Sequence, residues 1–142
     1  MDCKYFDLRY AIKTHDKILE VSGGNPGIID EGRLESSLTH IQNDDYYPMF
    51  VDKLTHIVYE INKGHNFNDG NKRTSVALGA FFLELNGFRA LVDKFIIGME
   101  NIAVSVADNL IDKKLLKEIM VSLLSEPEYN EELKLKIIHA IS

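Results

Sequence analysis

Apolar residues recur every three or four positions along nearly the whole chain, and this period limits the fold more than any other feature. The clearest case lies between residues 52 and 63, where four apolar residues take the i, i+3, i+4 and i+7 positions of one helical face: Leu54, Ile57, Val58 and Ile61. Residues 74–85 are apolar almost all round, which is typical of a helix at the buried centre of a bundle. The pattern predicts an all-α bundle.

The same period predicts five further helices. They cover residues 5–21, 31–42, 94–109, 112–125 and 127–141. Asp30 suits the N-cap of the second helix of the chain, and Pro127 suits the first turn of the last one. Strand signals are scarce, and Phe88–Val92 is the only short candidate.

Composition narrows the class of protein. The chain has 142 residues, enough for one domain with a real core, so we predict a single domain over residues 1–142. Its net charge of −6 weakens a nucleic-acid-binding role, which requires a basic face. The only cysteine is Cys3, which excludes an internal disulfide. Neither a signal peptide nor an apolar run of membrane-spanning length is visible, so we expect a cytoplasmic protein without a membrane partner.

Most of the chemistry is concentrated in residues 65–73, which read His-Asn-Phe-Asn-Asp-Gly-Asn-Lys-Arg. Gly64 closes the preceding helix, so this run forms a loop and the first turn of the next helix. Lys72 and Arg73 are cations in that first turn, where they oppose the helix dipole. Such an arrangement costs stability unless an anion binds there, and the run therefore predicts a phosphate site.

Three other residues of the run complete this prediction. Gly70 allows a positive φ angle and a close approach of the backbone to a ligand. Asp69 lies close enough to hold Mg²⁺, which typically binds one or two carboxylates together with substrate phosphates. His65 can act as a general base or acid near neutral pH.

Simpler interpretations compete with these for single residues. Phe67 is predicted to be a core anchor for the loop, without a catalytic role. The remaining histidines are predicted to be ordinary surface residues: His15, His40, His56 and His139.

The run resembles the core motif of the Fic/Doc family, H-x-F-x-[D/E]-[G/A]-N-[G/K]-R. Further stretches resemble the N-terminal half of the Doc (death-on-curing) branch and the segment after the central helix: residues 14–16, 23–30, 34–38 and 86–87. This resemblance implies a compact helical bundle with an extended flap beside the site. The best candidate for the flap is residues 43–50, which contain Tyr46, Tyr47, Met49 and Phe50. Residues 111–142 would be extra C-terminal helices.

The resemblance also implies ATP and Mg²⁺ as ligands and assigns roles to the motif. His65 would deprotonate the attacked hydroxyl group, and Asp69 would hold Mg²⁺. Four residues would grip the phosphates: Gly70, Asn71, Lys72 and Arg73.

Differences between the Fic and Doc branches at three motif positions indicate which group is transferred. Fic adenylyltransferases usually have Gly and Arg where this chain has Lys72 and Val76, whereas the Doc branch has Lys and an apolar residue. The Doc-like pair implies transfer of the γ-phosphate to a protein hydroxyl group, by resemblance on elongation factor Tu, with arrest of translation. Gly70 stands where Doc has Ala, which leaves adenylyl transfer (AMPylation) open. A catalytically silent helical module that binds partners is the third alternative.

Many Fic proteins carry a self-inhibiting helix with the pattern [S/T]-x-x-x-E-[G/N]. Only residues 122–126 approach it, and Pro127 then breaks the pattern. The resemblance to Doc therefore implies control by a separate small antitoxin protein.

Overall fold

Residues 2–142 are described by a computed structural model, and Met1 lies outside the described residues. They form seven α-helices: α1 (Leu8–Ser22), α2 (Glu31–His40), α3 (Phe50–Lys63), α4 (Asn71–Leu85), α5 (Val92–Ala107), α6 (Lys113–Ser125) and α7 (Glu131–Ile141). No strand forms within this part of the chain, where an isolated antiparallel bridge joins Ile28 to Phe67. The prediction of an all-α fold is confirmed.

Helix α4 lies at the centre of the bundle, as its all-round apolar pattern predicts. It packs against α1, α3 and α5. A glycine permits the closest approach, because a Cβ atom on Gly79 would lie 2.7 Å from Phe95 Cζ and 2.9 Å from Val58 Cγ2. The predicted apolar face of α3 is buried against this centre, with Leu54, Ile57, Val58 and Ile61 all at most 1% exposed.

Side-chain caps fix where several helices begin. The Asp30 carboxylate accepts a hydrogen bond from Arg33 N at 2.9 Å, which confirms the predicted cap of α2. The predicted start of the last helix at Pro127 is wrong, because Asn130 caps α7 by accepting from Leu133 N at 2.8 Å. Pro127 instead helps to end α6, since the residue before a proline is driven to the extended conformation that Glu126 adopts.

The predicted strand at Phe88–Val92 is also wrong. Arg89–Leu91 form a 3₁₀ helix, and α5 begins directly after it. The apolar side chains of this segment pack without a partner strand, and the Phe88 ring lies 4.9 Å from the Phe50 ring. A short apolar run can form either a helix or a strand, and here the tertiary packing determines its secondary structure.

The C-terminal helices pack on the side of the bundle formed by α3 and α5. Helix α6 contacts both of them and buries Leu116, Ile119 and Met120 completely, whereas α7 packs mainly on α6. No helix among residues 2–142 combines the length and apolarity needed to cross a membrane.

Candidate active site

The run at residues 65–73 begins directly after α3 and extends into the first turn of α4, as predicted, and it contains both buried and exposed side chains. Asn66 and Phe67 are buried, at 0% and 1% exposed, while His65 is exposed. Phe67 is therefore the core anchor that the sequence predicts. His65 has a positive φ of 49°, a conformation that is uncommon outside glycine and that often marks functional sites.

Two sets of hydrogen bonds hold this loop. The Asn71 side chain accepts from Phe67 N at 3.2 Å and donates to Phe67 O at 2.9 Å, which closes the loop on itself. An extended segment, residues 24–30, runs alongside, with Asn68 N donating to Gly27 O and Ile29 N donating to Asn66 O. The amide of Asn71 is consequently engaged in shaping the loop, and its backbone N–H is the group that can meet a ligand.

Residues 43–50 do not lie beside the motif, so the flap prediction for this segment is wrong. They lead into α3 at Phe50, whereas the motif follows α3 at Lys63. Because a helix of 14 residues rises about 20 Å, the two segments lie at opposite ends of it. Tyr47 instead packs on His56, with 4.5 Å between the ring centroids. The extended segment beside the motif is residues 24–30.

Asp69 is held as an ionised carboxylate. It accepts hydrogen bonds from Asn25 N at 3.1 Å and from Gly70 N at 2.8 Å. These two bonds, in that order, are the main reason that the pKa of Asp69 lies below its ordinary value, and Arg73 at 3.9 Å lowers the pKa further. A carboxylate that keeps its charge at neutral pH suits a hard divalent cation.

Arg73 extends from the first turn of α4 to the end of α1. One guanidinium nitrogen, Nη1, donates to Ser22 Oγ at 2.9 Å and to Gly23 O at 3.2 Å. Lys72 is exposed and forms no ion pair within residues 2–142. The cationic first turn predicted from the sequence therefore has one oriented and one free positive charge.

The N-terminus of α4 fits a phosphate group. The first backbone bond of this helix runs from Thr74 N to Gly70 O, so the N–H groups of residues 71–73 have no partner inside the helix. Gly70 has a φ of 79°, which is positive as predicted, and it is the N-cap of α4. A Cβ atom there would lie 3.2 Å from Leu19 Cδ2, so the backbone turn depends on the missing side chain.

The oxygen atoms around Asp69 suit Mg²⁺ only if a bound phosphate ligand supplies further oxygens. Residues 2–142 contain no group of three or more His, Cys, Asp or Glu side chains that could enclose a metal ion. Mg²⁺ often binds one carboxylate, with water and substrate phosphates supplying the other oxygens. Asp69 beside the N-terminus of α4 matches that arrangement.

Two buried histidines contradict the prediction of surface positions. His15 on α1 is 0% exposed, and its Nε2 donates to Asp69 O at 2.7 Å. Its ring stacks on Phe67, with 3.7 Å between centroids and 6° between planes. His56 on α3 is 6% exposed. The available signal for His15 was its place in a helical row between Ala11 and Leu19, four residues to either side.

A groove of about 490 Å³ begins at the first turn of α4 and runs between α1, α4 and α5. Lys72 and Arg73 lie at one end of it. Apolar side chains line the rest, among them Ile18, Val76, Ile96 and Val104.

Comparisons with known proteins agree with this site. The profile of the Fic/DOC family matches residues 5–83, more than half of the chain. The chain is 36% identical over 80 residues to "Protein kinase doc" of Escherichia phage P1, an alignment that covers 54% of this chain and 63% of the phage protein. It is 30% identical over 89 residues to "Toxin Doc" of Mycolicibacterium smegmatis, covering 60% and 68% of the two chains. The matched residues include α1, the extended segment, the motif and most of α4, and the chain therefore belongs to the Fic/Doc family.

Proposed function

We propose that this protein is a Doc-like toxin of a toxin–antitoxin system that transfers the γ-phosphate of ATP to a hydroxyl group of a protein target. One observation carries the proposal: Asp69, Lys72 and Arg73 surround the free N–H groups at the start of α4, and His65 is exposed on the same loop. Phosphoryl transfer depends mainly on positioning and on neutralising charge, which these groups provide.

Each residue of the motif has a distinct part in this proposal. The backbone N–H groups of Asn71 and its neighbours, together with Lys72 and Arg73, bind the phosphates, and Gly70 lets them approach. Asp69 would hold Mg²⁺, which supplies positive charge to the phosphate oxygens. His65 accepts the proton of the target hydroxyl group on a ring nitrogen. The hydroxyl oxygen then bonds to the γ-phosphorus, the bond to the bridging oxygen breaks, and ADP leaves.

The choice of phosphoryl over adenylyl transfer rests on two positions. Lys72 and Val76 replace the Gly and Arg that are usual in Fic adenylyltransferases. Val76 is half-buried and lines the apolar groove, where it offers no donor to a phosphate. Gly70 favours the runner-up, adenylyl transfer, because it is the residue usual in Fic enzymes.

The proposed partners follow from the same family branch. Elongation factor Tu is the target that the resemblance implies, and its modification would arrest translation. Both this target and ATP are cytoplasmic, so we place the protein in the cytoplasm. The apolar groove between α1, α4 and α5 supports a small antitoxin as the second partner, because a helix with one apolar face could bind there. Residues 111–142 do not line that groove.

Labelled ATP tests the reaction class. The protein is incubated with Mg²⁺, elongation factor Tu and ATP labelled on either the α- or the γ-phosphate. We expect the γ-label, and not the α-label, on the target. Transfer of the α-label would establish the adenylyltransferase instead. Absence of both labels, after a translation extract has replaced elongation factor Tu as the source of targets, would favour the catalytically silent module.

A further inference from the structure

We propose that His15, which lies on α1 and outside the motif, is a positioning residue that fixes the direction of the Asp69 carboxylate. This inference rests on the proposed function, because it assigns His15 a part in binding Mg²⁺ and ATP.

The hydrogen bond between His15 and Asp69 has a defined direction. The 2.7 Å contact joins the Nε2 atom to a backbone carbonyl oxygen, which can only accept, so Nε2 carries the hydrogen. The other ring nitrogen, Nδ1, lies 3.3 Å from Asp16 Oδ1. Because the side chain is completely buried and its Nε2 is bonded to Asp69 O, the ring is held in one orientation.

The imidazole ring contacts the motif at three residues. Its face stacks on Phe67, its Nε2 bonds to Asp69, and its Cδ2 would lie 3.6 Å from a Cβ atom on Gly70. Helix α1 thus clamps the part of the loop that carries the metal-binding carboxylate. His65, at the other end of the loop, is exposed, so the clamp leaves the proposed base free.

Fixing the Asp69 carbonyl also fixes its carboxylate. The Oδ1 atom accepts from Gly70 N and the Oδ2 atom accepts from Asn25 N, and both bonds require one backbone conformation at Asp69. His15 is the side chain that bonds to the carbonyl oxygen of that backbone. Loss of its N–H would let the peptide rotate, and the carboxylate would turn with it. Groups that orient a metal ligand typically affect metal affinity about 10- to 100-fold.

Two substitutions separate positioning from mere filling of space. His15→Phe keeps a flat ring for stacking on Phe67 but lacks the donor. His15→Gln keeps an N–H at a similar distance from the main chain and lacks the ring. We expect His15→Phe to raise the Mg²⁺ concentration at half-saturation of ATP binding by about tenfold or more, and His15→Gln to restore most of that loss.

The experiment is a calorimetric titration of ATP at a series of Mg²⁺ concentrations, with a melting curve for each variant. His40→Phe, at an exposed position on α2, is the control. A folded His15→Phe protein with the wild-type Mg²⁺ dependence would overturn the role of His15 alone. If His15→Phe does not fold, His15→Gln provides the test. A His15→Gln protein that folds but needs as much Mg²⁺ for ATP binding as Asp69→Asn would also overturn the role of His15. Absence of Mg²⁺-dependent ATP binding by the wild type would overturn the proposed function, and with it the role of His15.

Discussion

Gly24 sets how closely the segment between α1 and α2 approaches Asp69. Its φ is 131°, and a Cβ atom there would lie 2.8 Å from Asp69 Oδ2 and 2.8 Å from Leu19 Cδ2. Both neighbouring atoms are at the ends of side chains, so the carboxylate can move away. A side chain at Gly24 would therefore act mainly on the position of Asp69, and less on packing.

Substitution of Gly23 is a matched control for substitution of Gly24. Gly23 also has a positive φ, of 81°, but a Cβ atom there would meet nothing within 4 Å. We expect Gly23→Ala and Gly24→Ala each to lower the free energy of unfolding by about 1–3 kcal/mol through backbone strain. Only Gly24→Ala should raise the pKa of Asp69 toward its ordinary value, because displacement of the carboxylate weakens its bond from Asn25 N. Titration of the carboxyl carbon by NMR measures this, and equal Asp69 pKa values in both variants would contradict the described contact.

The residues of the site differ in how well the sequence predicts them. His65, Asp69, Lys72 and Arg73 all lie between residues 65 and 73, so one short run of sequence contains their chemistry. The groups that orient them come from α1 and the segment after it, about 45 to 55 residues earlier: His15, Ser22, Gly23 and Asn25. Two of those four act through the backbone, which leaves no mark on residue type. Tertiary contacts of that kind cannot be inferred from spacing alone.

The close packing of α4 against α3 and α5 depends on a single small residue. Gly79 lies where α3, α4 and α5 meet, between the stiff side chain of Val58 and the ring of Phe95. Gly98 on α5 is similarly crowded, because a Cβ atom there would lie 2.7 Å from Leu123 Cδ2. The Cδ2 atom of Leu123, however, is at the end of a flexible side chain. The two helical glycines thus form a matched pair.

We expect Gly79→Ala to destabilise the protein by about 1–3 kcal/mol, because overpacking outweighs the better helix propensity of alanine. Gly98→Ala should be neutral or stabilising by up to about 1 kcal/mol, since Leu123 can change rotamer. Urea unfolding of both variants measures the difference. A Gly79→Ala protein as stable as the Gly98→Ala protein would show that α4 does not pack as closely as described.

At the same scale, helix interiors are more predictable than their ends. The apolar face of α3 and the centre of α4 follow from spacing, because burial repeats with the period of the helix. The end of α6 and the start of α7 do not follow from spacing. Pro127 is compatible with ending α6 or with starting α7, and the Asn130 cap determines that α7 begins later. The residues at Phe88–Val92 have strand-forming character, but no second strand exists within residues 2–142 to pair with them.

At the scale of the whole molecule, we propose that residues 1–142 form a single Fic/Doc-like domain in which residues 111–142 are extra C-terminal helices. The family match ends at residue 83, while the buried apolar cluster extends from Phe6 on the N-terminal side to Leu133 on α7. A polar contact also joins the two parts, because Lys113 Nζ on α6 donates to His56 Nδ1 on α3 at 2.8 Å.

The burial of His56, together with this contact, makes stability depend on pH. Burial, then Lys113 and then His40 lower the pKa of His56 from 6.5 to about 4, so the folded protein keeps this ring neutral. The unfolded chain takes up a proton below pH 6.5, and stability is therefore lost as the pH falls from 6.5 to about 4. We expect a loss of up to about 3 kcal/mol by pH 4.

His56→Gln should flatten this dependence, since an amide oxygen can still accept from Lys113 but cannot titrate. Unfolding by urea at pH 7, 5.5 and 4 measures it. The control is His139→Gln on α7, where the ring is exposed and the curve should follow the wild type. Parallel curves for wild type and His56→Gln would contradict the buried, neutral state of His56.

Phosphoryl transfer with His65 as the base is the central claim, and one rate comparison tests it most directly. The rate of γ-label transfer from ATP to elongation factor Tu is measured for wild type, His65→Ala and the exposed control His139→Ala. We expect His139→Ala to match the wild type and His65→Ala to fall by at least about 100-fold, with an unchanged melting temperature because the ring is exposed. Transfer by His65→Ala at the wild-type rate would contradict the proposed mechanism.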